Sequence, residues 1–210
     1  MKNAATFYIV RHGQTQWNIE GRLQGHGDSP LTEQGVEDIQ AVTGSLKHIE
    51  FDHVFSSDLL RAKRTAELLV IEKKLAINTT HLLRERSFGK FEGVLIEEFR
   101  NQNKELLEKQ EKLSKEESWK FKLAEDMESN EEIIQRLLVF LREIAVTYPN
   151  KTMLIVTHAG VLRILLEHLG YDVNPAKGMV KNGAYIKLLS DGDEFEVEEL
   201  SGITLVENKQ

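Results

Sequence analysis

The 210-residue chain contains no cysteine. That one absence excludes disulfide scaffolds, zinc–thiolate sites, iron–sulfur clusters and thiol nucleophiles. Proline is scarce, at three residues, and no Pro- or Gly-rich linker and no internal repeat breaks the chain. Long hydrophobic runs are also missing. The longest, such as residues 6–10 and 153–156, are strand-length, so no segment is expected to span a membrane. The opening Met1-Lys2-Asn3-Ala4-Ala5 lacks the apolar core of a signal peptide, and a cytoplasmic protein is expected. Positive charge is in deficit: the formal net charge is −7. A general nucleic-acid or anionic-membrane surface is therefore disfavoured. An anionic substrate needs a local cationic pocket set against the overall field.

What remains is ordinary globular material. A chain of this length can bury roughly 70% of its unfolded surface without a staple. One domain over residues 1–210 is expected, with an insertion at about 95–130 that is dense in Lys and Glu. Its apolar residues, Phe99, Leu106, Leu107, Leu113 and Phe121, are too sparse for a thick core face. It reads as mostly helical and solvated, either a cap on the main body or a helix with no role.

Elsewhere strands and helices alternate. Residues 6–10 form a strand, and Thr32 caps a helix running to about Lys47, with Leu31 and Val36 as a hydrophobic staple. Residues 52–55 form a short strand, and Ser56-Ser57-Asp58 supplies cap chemistry for a helix to about Leu69. Ser129 and Glu132 make a capping box before a helix whose Ile133, Leu137, Leu141 and Ile144 share one face. Residues 152–156 are a second buried strand, followed by a helix stopped at Gly170. Residues 184–189 and 195–200 form two late strands around Asp191-Gly192-Asp193. The pattern predicts an α/β fold: a doubly wound, mostly parallel sheet with helices on both faces and antiparallel strands at one edge.

Two strands end alike. One runs into Arg11-His12-Gly13, the other into Thr157-His158-Ala159-Gly160. Ligands of open α/β sheets bind beyond the carboxyl ends of strands, near helix N-termini. A lone histidine there is most simply a satisfied loop residue; two in the same context, one joined to an arginine, point to a site. Arg61 lies in the first turn of its helix, where a cation costs about 0.3–1 kcal/mol against the helix dipole. A bound anion offsets that cost; the plain alternative is a surface pair with Asp58. Glu85, between Arg84 and Arg86, reads on its own as a surface ion-pair residue.

Phosphoryl transfer fits this set. The group presents three equatorial oxygens and needs in-line attack, and arginine forks match those oxygens. Neutral imidazole is available as a nucleophile near pH 7, and a carboxyl can protonate the leaving alkoxide. Metal hydrolysis is the natural rival. Arg11 beside His12 counts against it, and no HExxH or His-x-Asp cluster is present. Nor is there a Gly-x-Ser-x-Gly elbow, a Walker A run or a G-x-G-x-x-G run. Neither metal nor cofactor is expected.

These residues resemble the histidine phosphatase, or phosphoglycerate mutase-like, superfamily. The resemblance runs through residues 11–18 (RHGQTQWN), 22–25, 28–32 and Gly35, then 56–62 (SSDLLRA), 83–85 with 89–93, 156–160 (VTHAG), and Asn182-Gly183. It covers nearly the whole chain, in order. It implies His12 as the phosphorylated nucleophile, with Arg11, Arg61 and His158 on the phosphoryl oxygens and Asn18 as a further contact. Glu85 would be the general acid and then the base for water, and Gln24 and Gly25 fall where the family meets substrate. Asp126-Met127-Glu128-Ser129 keeps a Glu-Ser pair but not the glycines many relatives have before it. Three functions stay open: a phosphatase of small phosphorylated metabolites, which is favoured; a phosphoglycerate or phosphosugar mutase; and a phosphate-binding module without turnover. A monomer or homodimer is expected.

Overall fold

A computed structural model of the protein describes residues 3–173 and 180–206. A six-stranded sheet has the order β3-β2-β4-β1-β5-β6. Its strands are β1 (Ala5–Arg11), β2 (His53–Ser57), β3 (Ile77–Thr80), β4 (Thr152–Thr157), β5 (Val180–Ser190) and β6 (Phe195–Ile203). β1 to β4 are parallel; β5 and β6 add an antiparallel edge. The two histidine-bearing strands are neighbours, in register from Thr6 opposite Thr152 to Arg11 opposite Thr157.

Strand alternation separates two cores. Phe7, Ile9, Met153 and Ile155 face α7 (Asn130–Thr147) and α8 (Ala159–His168). Tyr8, Val10, Leu154 and Val156 face the side of α2 (Glu33–Leu46) and α3 (Leu60–Leu69). Both faces are covered, as a parallel sheet requires. α7 follows its sequence pattern: Ser129 caps it reciprocally with Glu132, and Ile133, Leu137 and Leu141 are fully buried. Each such side chain contributes roughly 1.5–3 kcal/mol by leaving water.

Three departures from the sequence reading have physical causes. First, Ser56-Ser57-Asp58 does not cap α3 through its side chains; Leu59 is the cap residue. The amides of Leu60 and Arg61 instead donate to the Asp28 carboxylate, supplied from a distant loop. Second, Asp58 is not paired with Arg61 but held by both arms of Arg84 at 2.7 Å. Third, β3 was not anticipated: its four residues, INTT, are too short and polar to show alternation.

The segment between β3 and α7 holds α4 (Ile96–Gln102), α5 (Lys104–Glu111) and α6 (Lys115–Lys120). α1 (Gln16–Glu20) follows the first strand end. Phe99, Phe91 and Met127 form a small separate core beneath the charged helices, flanked by Leu23 and Phe88.

Candidate active site

The carboxyl ends of β1 and β4 meet through a bond from the His12 amide to the Thr157 carbonyl, 3.0 Å. The two imidazoles lie edge to face with centroids 5.1 Å apart. Arg11, His12, Asn18, Gln24, Gly25, Arg61 and Glu85 line one cavity of about 100 Å³. With Ala159 also on its wall, the cavity gathers residues from Arg11 to the start of α8, and His158 packs against His12.

Each group is held by its neighbours. The His12 Nδ1 donates to the Gly13 carbonyl at 2.7 Å, which leaves the Nε2 lone pair free. The Gly13 amide donates to Thr65 Oγ1 at 3.0 Å. Arg61 is almost fully buried and donates to the carbonyls of Gly25 and Gly27, both at 2.7 Å, and to Asp28 at 3.1 Å. Asn18 Oδ1 accepts from the Thr15 amide at 3.1 Å and from Asn182 Nδ2 at 3.2 Å. Gln24 is anchored on Thr15 Oγ1 through Nε2.

Glu85 is no surface ion-pair residue. Its Oε1 accepts from the Arg86 amide at 2.8 Å and its Oε2 from the Gly160 amide at 3.0 Å. A Cβ at Gly160 would meet Glu85 Oε1 at 2.4 Å, so a larger residue there displaces the carboxylate. The flanking arginines bind elsewhere, Arg84 to Asp58 and Arg86 to the Glu128 carbonyl and Asn130.

Some buried atoms of the cradle have no protein partner. These are Nε of Arg11, Nε of Arg61, Oε1 of Gln24 and both ring nitrogens of His158. An unsatisfied buried polar group costs about 1–3 kcal/mol. A set dominated by potential donors around one cavity is built for an anion with several oxygens.

The model of the histidine phosphatase superfamily (branch 1) matches residues 7–202. The chain belongs to this superfamily. It is 30% identical over 196 residues to phosphoglycerate mutase-like protein 4 of Arabidopsis thaliana, covering 92% of this chain and 84% of that one. It is 31% identical over 161 residues to the uncharacterized phosphatase PhoE of Bacillus subtilis, covering 77% and 75%. The crystal structure of phosphoglycerate mutase from Bacillus anthracis superposes with a TM-score of 0.81 at 28% identity, covering 94% of this chain and 93% of that one. Histidine phosphatase relatives of this chain thus include both phosphatases and mutase-like proteins.

The electrostatics of this histidine phosphatase site follow from burial. Desolvation, reinforced by Arg61 and Arg11, holds the His12 imidazole well below the usual histidine range. Burial does the same to His158, with Arg61 as the next cause. Desolvation brings Arg11 down to about 10, opposed by Glu85. Both imidazoles are therefore neutral at pH 7 while the arginines stay charged.

Several supporting residues escaped the sequence reading. Arg136 of α7 donates to the carbonyls of Leu82 and Glu85 and to both Glu128 oxygens. Glu128 also accepts from the Ser87 amide at 2.8 Å, so its carboxylate fixes the Glu85 loop. Glu92 gathers the amides of His26, Gly27 and Phe88. Apart from Arg136 to Glu128 and Glu92 to Phe88, these contacts join segments more than 40 residues apart and leave no local signature. Among the described residues, no three His, Asp or Glu side chains group as a metal-ligating cluster.

Proposed function

We propose that the protein is a phosphomonoester phosphatase acting on small phosphorylated metabolites through a phosphohistidine on His12. The observation that carries this reading is the fixed His12 tautomer, with its free Nε2 in a cradle of buried, partnerless polar atoms. Arg11, Arg61, His158 and Asn18 hold the phosphoryl oxygens, and Gln24 and Gly25 border the substrate. The His12 Nε2 lone pair forms the N–P bond in line with the ester oxygen. The P–O bond breaks, its electrons pass to that oxygen, and Glu85 supplies the proton. Water then attacks phosphorus, its proton goes to Glu85, and the breaking N–P bond returns the lone pair to the imidazole. We place this chemistry in one domain spanning the chain, with α4 to α6 as a cap, in a cytoplasmic monomer or homodimer.

A mutase is the second reading, favoured by the likeness to the Bacillus anthracis structure. It requires the same phosphohistidine and exclusion of water. Turnover of an aryl phosphate, with and without a chelator, is measured beside His12→Ala, and labelled phosphoenzyme is trapped with acid-labile stability. The phosphatase reading expects turnover that survives chelation and disappears, with the label, in His12→Ala. Rapid isomerisation of 3-phosphoglycerate primed by its bisphosphate, with negligible hydrolysis, would establish the mutase. Loss of turnover on chelation, or tight phosphate binding with no turnover of any ester, would overturn both.

A further inference from the structure

α3 buries Arg61, Ala62, Thr65, Ala66 and Leu69 along one stripe. Such a stripe is ordinarily apolar. The cradle accounts for Arg61, but not for Thr65, which is fully buried. Between Ala62 and Ala66, alanine would suit the helix better than a β-branched residue. What distinguishes threonine from an apolar residue of the same shape is its hydroxyl.

That hydroxyl makes two bonds. Oγ1 donates to the Arg61 carbonyl at 2.8 Å, one turn back along α3, and accepts from the Gly13 amide at 3.0 Å. Its single proton is committed to the Arg61 carbonyl, so a lone pair faces Gly13. One oxygen thus ties the helix that carries Arg61 to the residue that follows His12.

The peptide between His12 and Gly13 is clamped at both ends. Its carbonyl accepts from Asn182 Nδ2 at 3.2 Å, and its amide donates to Thr65. The next carbonyl, that of Gly13, accepts from His12 Nδ1 at 2.7 Å. That bond decides which ring nitrogen keeps its lone pair. A Cβ on Gly13 would meet the Gly35 carbonyl at 2.7 Å, so no side chain of its own anchors the turn and its backbone bonds must.

We propose that Thr65 is a positioning residue for the nucleophile: its hydroxyl fixes the Gly13 amide, the Gly13 carbonyl fixes the His12 tautomer, and Nε2 is left unprotonated in the cradle. The inference rests on the reading of His12 as the nucleophile. Without the hydroxyl, the Gly13 N–H is buried and unpaired. The turn then shifts toward another acceptor, the Gly13 carbonyl leaves Nδ1, and the ring passes to the tautomer with its proton on Nε2. A nitrogen that carries the proton has no lone pair for the N–P bond.

The test compares Thr65→Ser and Thr65→Ala, which differ by one oxygen, and adds Thr65→Val, which keeps the shape and loses the oxygen. Alanine, a good helix former, guards against a misfit of valine. Nitrogen-15 NMR of the ring reads the His12 tautomer without substrate, and steady-state kinetics follow nitrophenyl phosphate and ethyl phosphate. Thr65→Ser should keep the Nδ1–H tautomer and stay within about threefold of the natural kcat/KM. Thr65→Ala and Thr65→Val should populate Nε2–H and lose about tenfold or more in kcat/KM, equally for both esters. Inhibition by inorganic phosphate should not weaken in them, because Arg61 keeps its contacts to Gly25, Gly27 and Asp28. Phosphate binding lost in step with turnover would make the role one of general packing and overturn the proposal. So would one tautomer in all four proteins, or a kcat/KM that falls as far in Thr65→Ser as in Thr65→Ala. If the natural protein turns over no ester while the tautomer still follows the hydroxyl, the phosphatase reading falls and the positioning of His12 stands.

Discussion

At the scale of single residues, the two buried imidazoles make the fold refuse protons that the unfolded chain accepts. Their folded pKa values lie well below the ordinary value of about 6.5. As pH falls below about 6.5 the unfolded state binds protons and the folded state does not, so stability is lost; above that pH it is fully present. Each histidine contributes a slope of up to about 1.4 kcal/mol per pH unit. Urea unfolding followed from pH 7.5 to 5.5 should show this decline, and His12→Ala should make it shallower. A bound dianion offsets the cost of charging the rings, so saturating phosphate should flatten the slope. Glu85 belongs to the same scale. Glu85→Gln should slow an alkyl phosphate by about 10²–10⁴-fold. In kcat/KM, which reports the phosphorylation step, it should spare nitrophenyl phosphate, whose leaving group needs no proton, while kcat falls for both esters as the base for water is lost; equal losses in kcat/KM would remove the acid role. His12 and His158 were legible in the sequence because each marks a strand end within five residues of hydrophobic signal. Glu85 was not legible from its neighbours, since what singles it out is the amide of Gly160, 75 positions away.

At the scale of elements, the site depends on how three helices are fastened. α8 begins at Ala159, and its second residue, Gly160, meets Glu85. Gly160→Ala should separate stability from activity. Alanine is favoured over glycine in a helix by about 1 kcal/mol, while the displaced carboxylate loses alkyl phosphate turnover. Thermal unfolding and leaving-group dependence, measured on the same sample, check both halves. α3 is capped from outside by Asp28, which also meets Arg61. Asp28→Ala should cost about 0.5–2 kcal/mol as a lost cap and weaken phosphate binding as Arg61 loosens, read by denaturant unfolding and by product inhibition. α7 holds the Glu85 loop through Arg136 and Glu128. The helices themselves were legible wherever period and cap agreed, as with Ser129 and the Ile133 face. The fastening was not. Ser56 to Asp58 carried correct cap chemistry, but Asp28 and Arg84 offered stronger partners from elsewhere in the fold.

At the scale of the whole molecule, a chain with net charge −7 concentrates two guanidiniums, that of Arg61 almost fully buried, beyond the carboxyl end of a central strand. The alternation of strands and helices made the doubly wound plan and the antiparallel edge readable. Strand order was not readable, because hydrophobic pattern does not say which strand enters between which. Here β4, late in the chain, lies between β2 and β1. During synthesis the ribosome therefore delivers two apolar strands with facing ladders and nothing yet to join them. Some 100 residues emerge between β2 and the strand that fills the gap. Until then those bare ladders are open to strands of other chains, which is the usual route to aggregation. The strand that closes the sheet also carries in His158, so the closed sheet and the second strand-end imidazole arrive together.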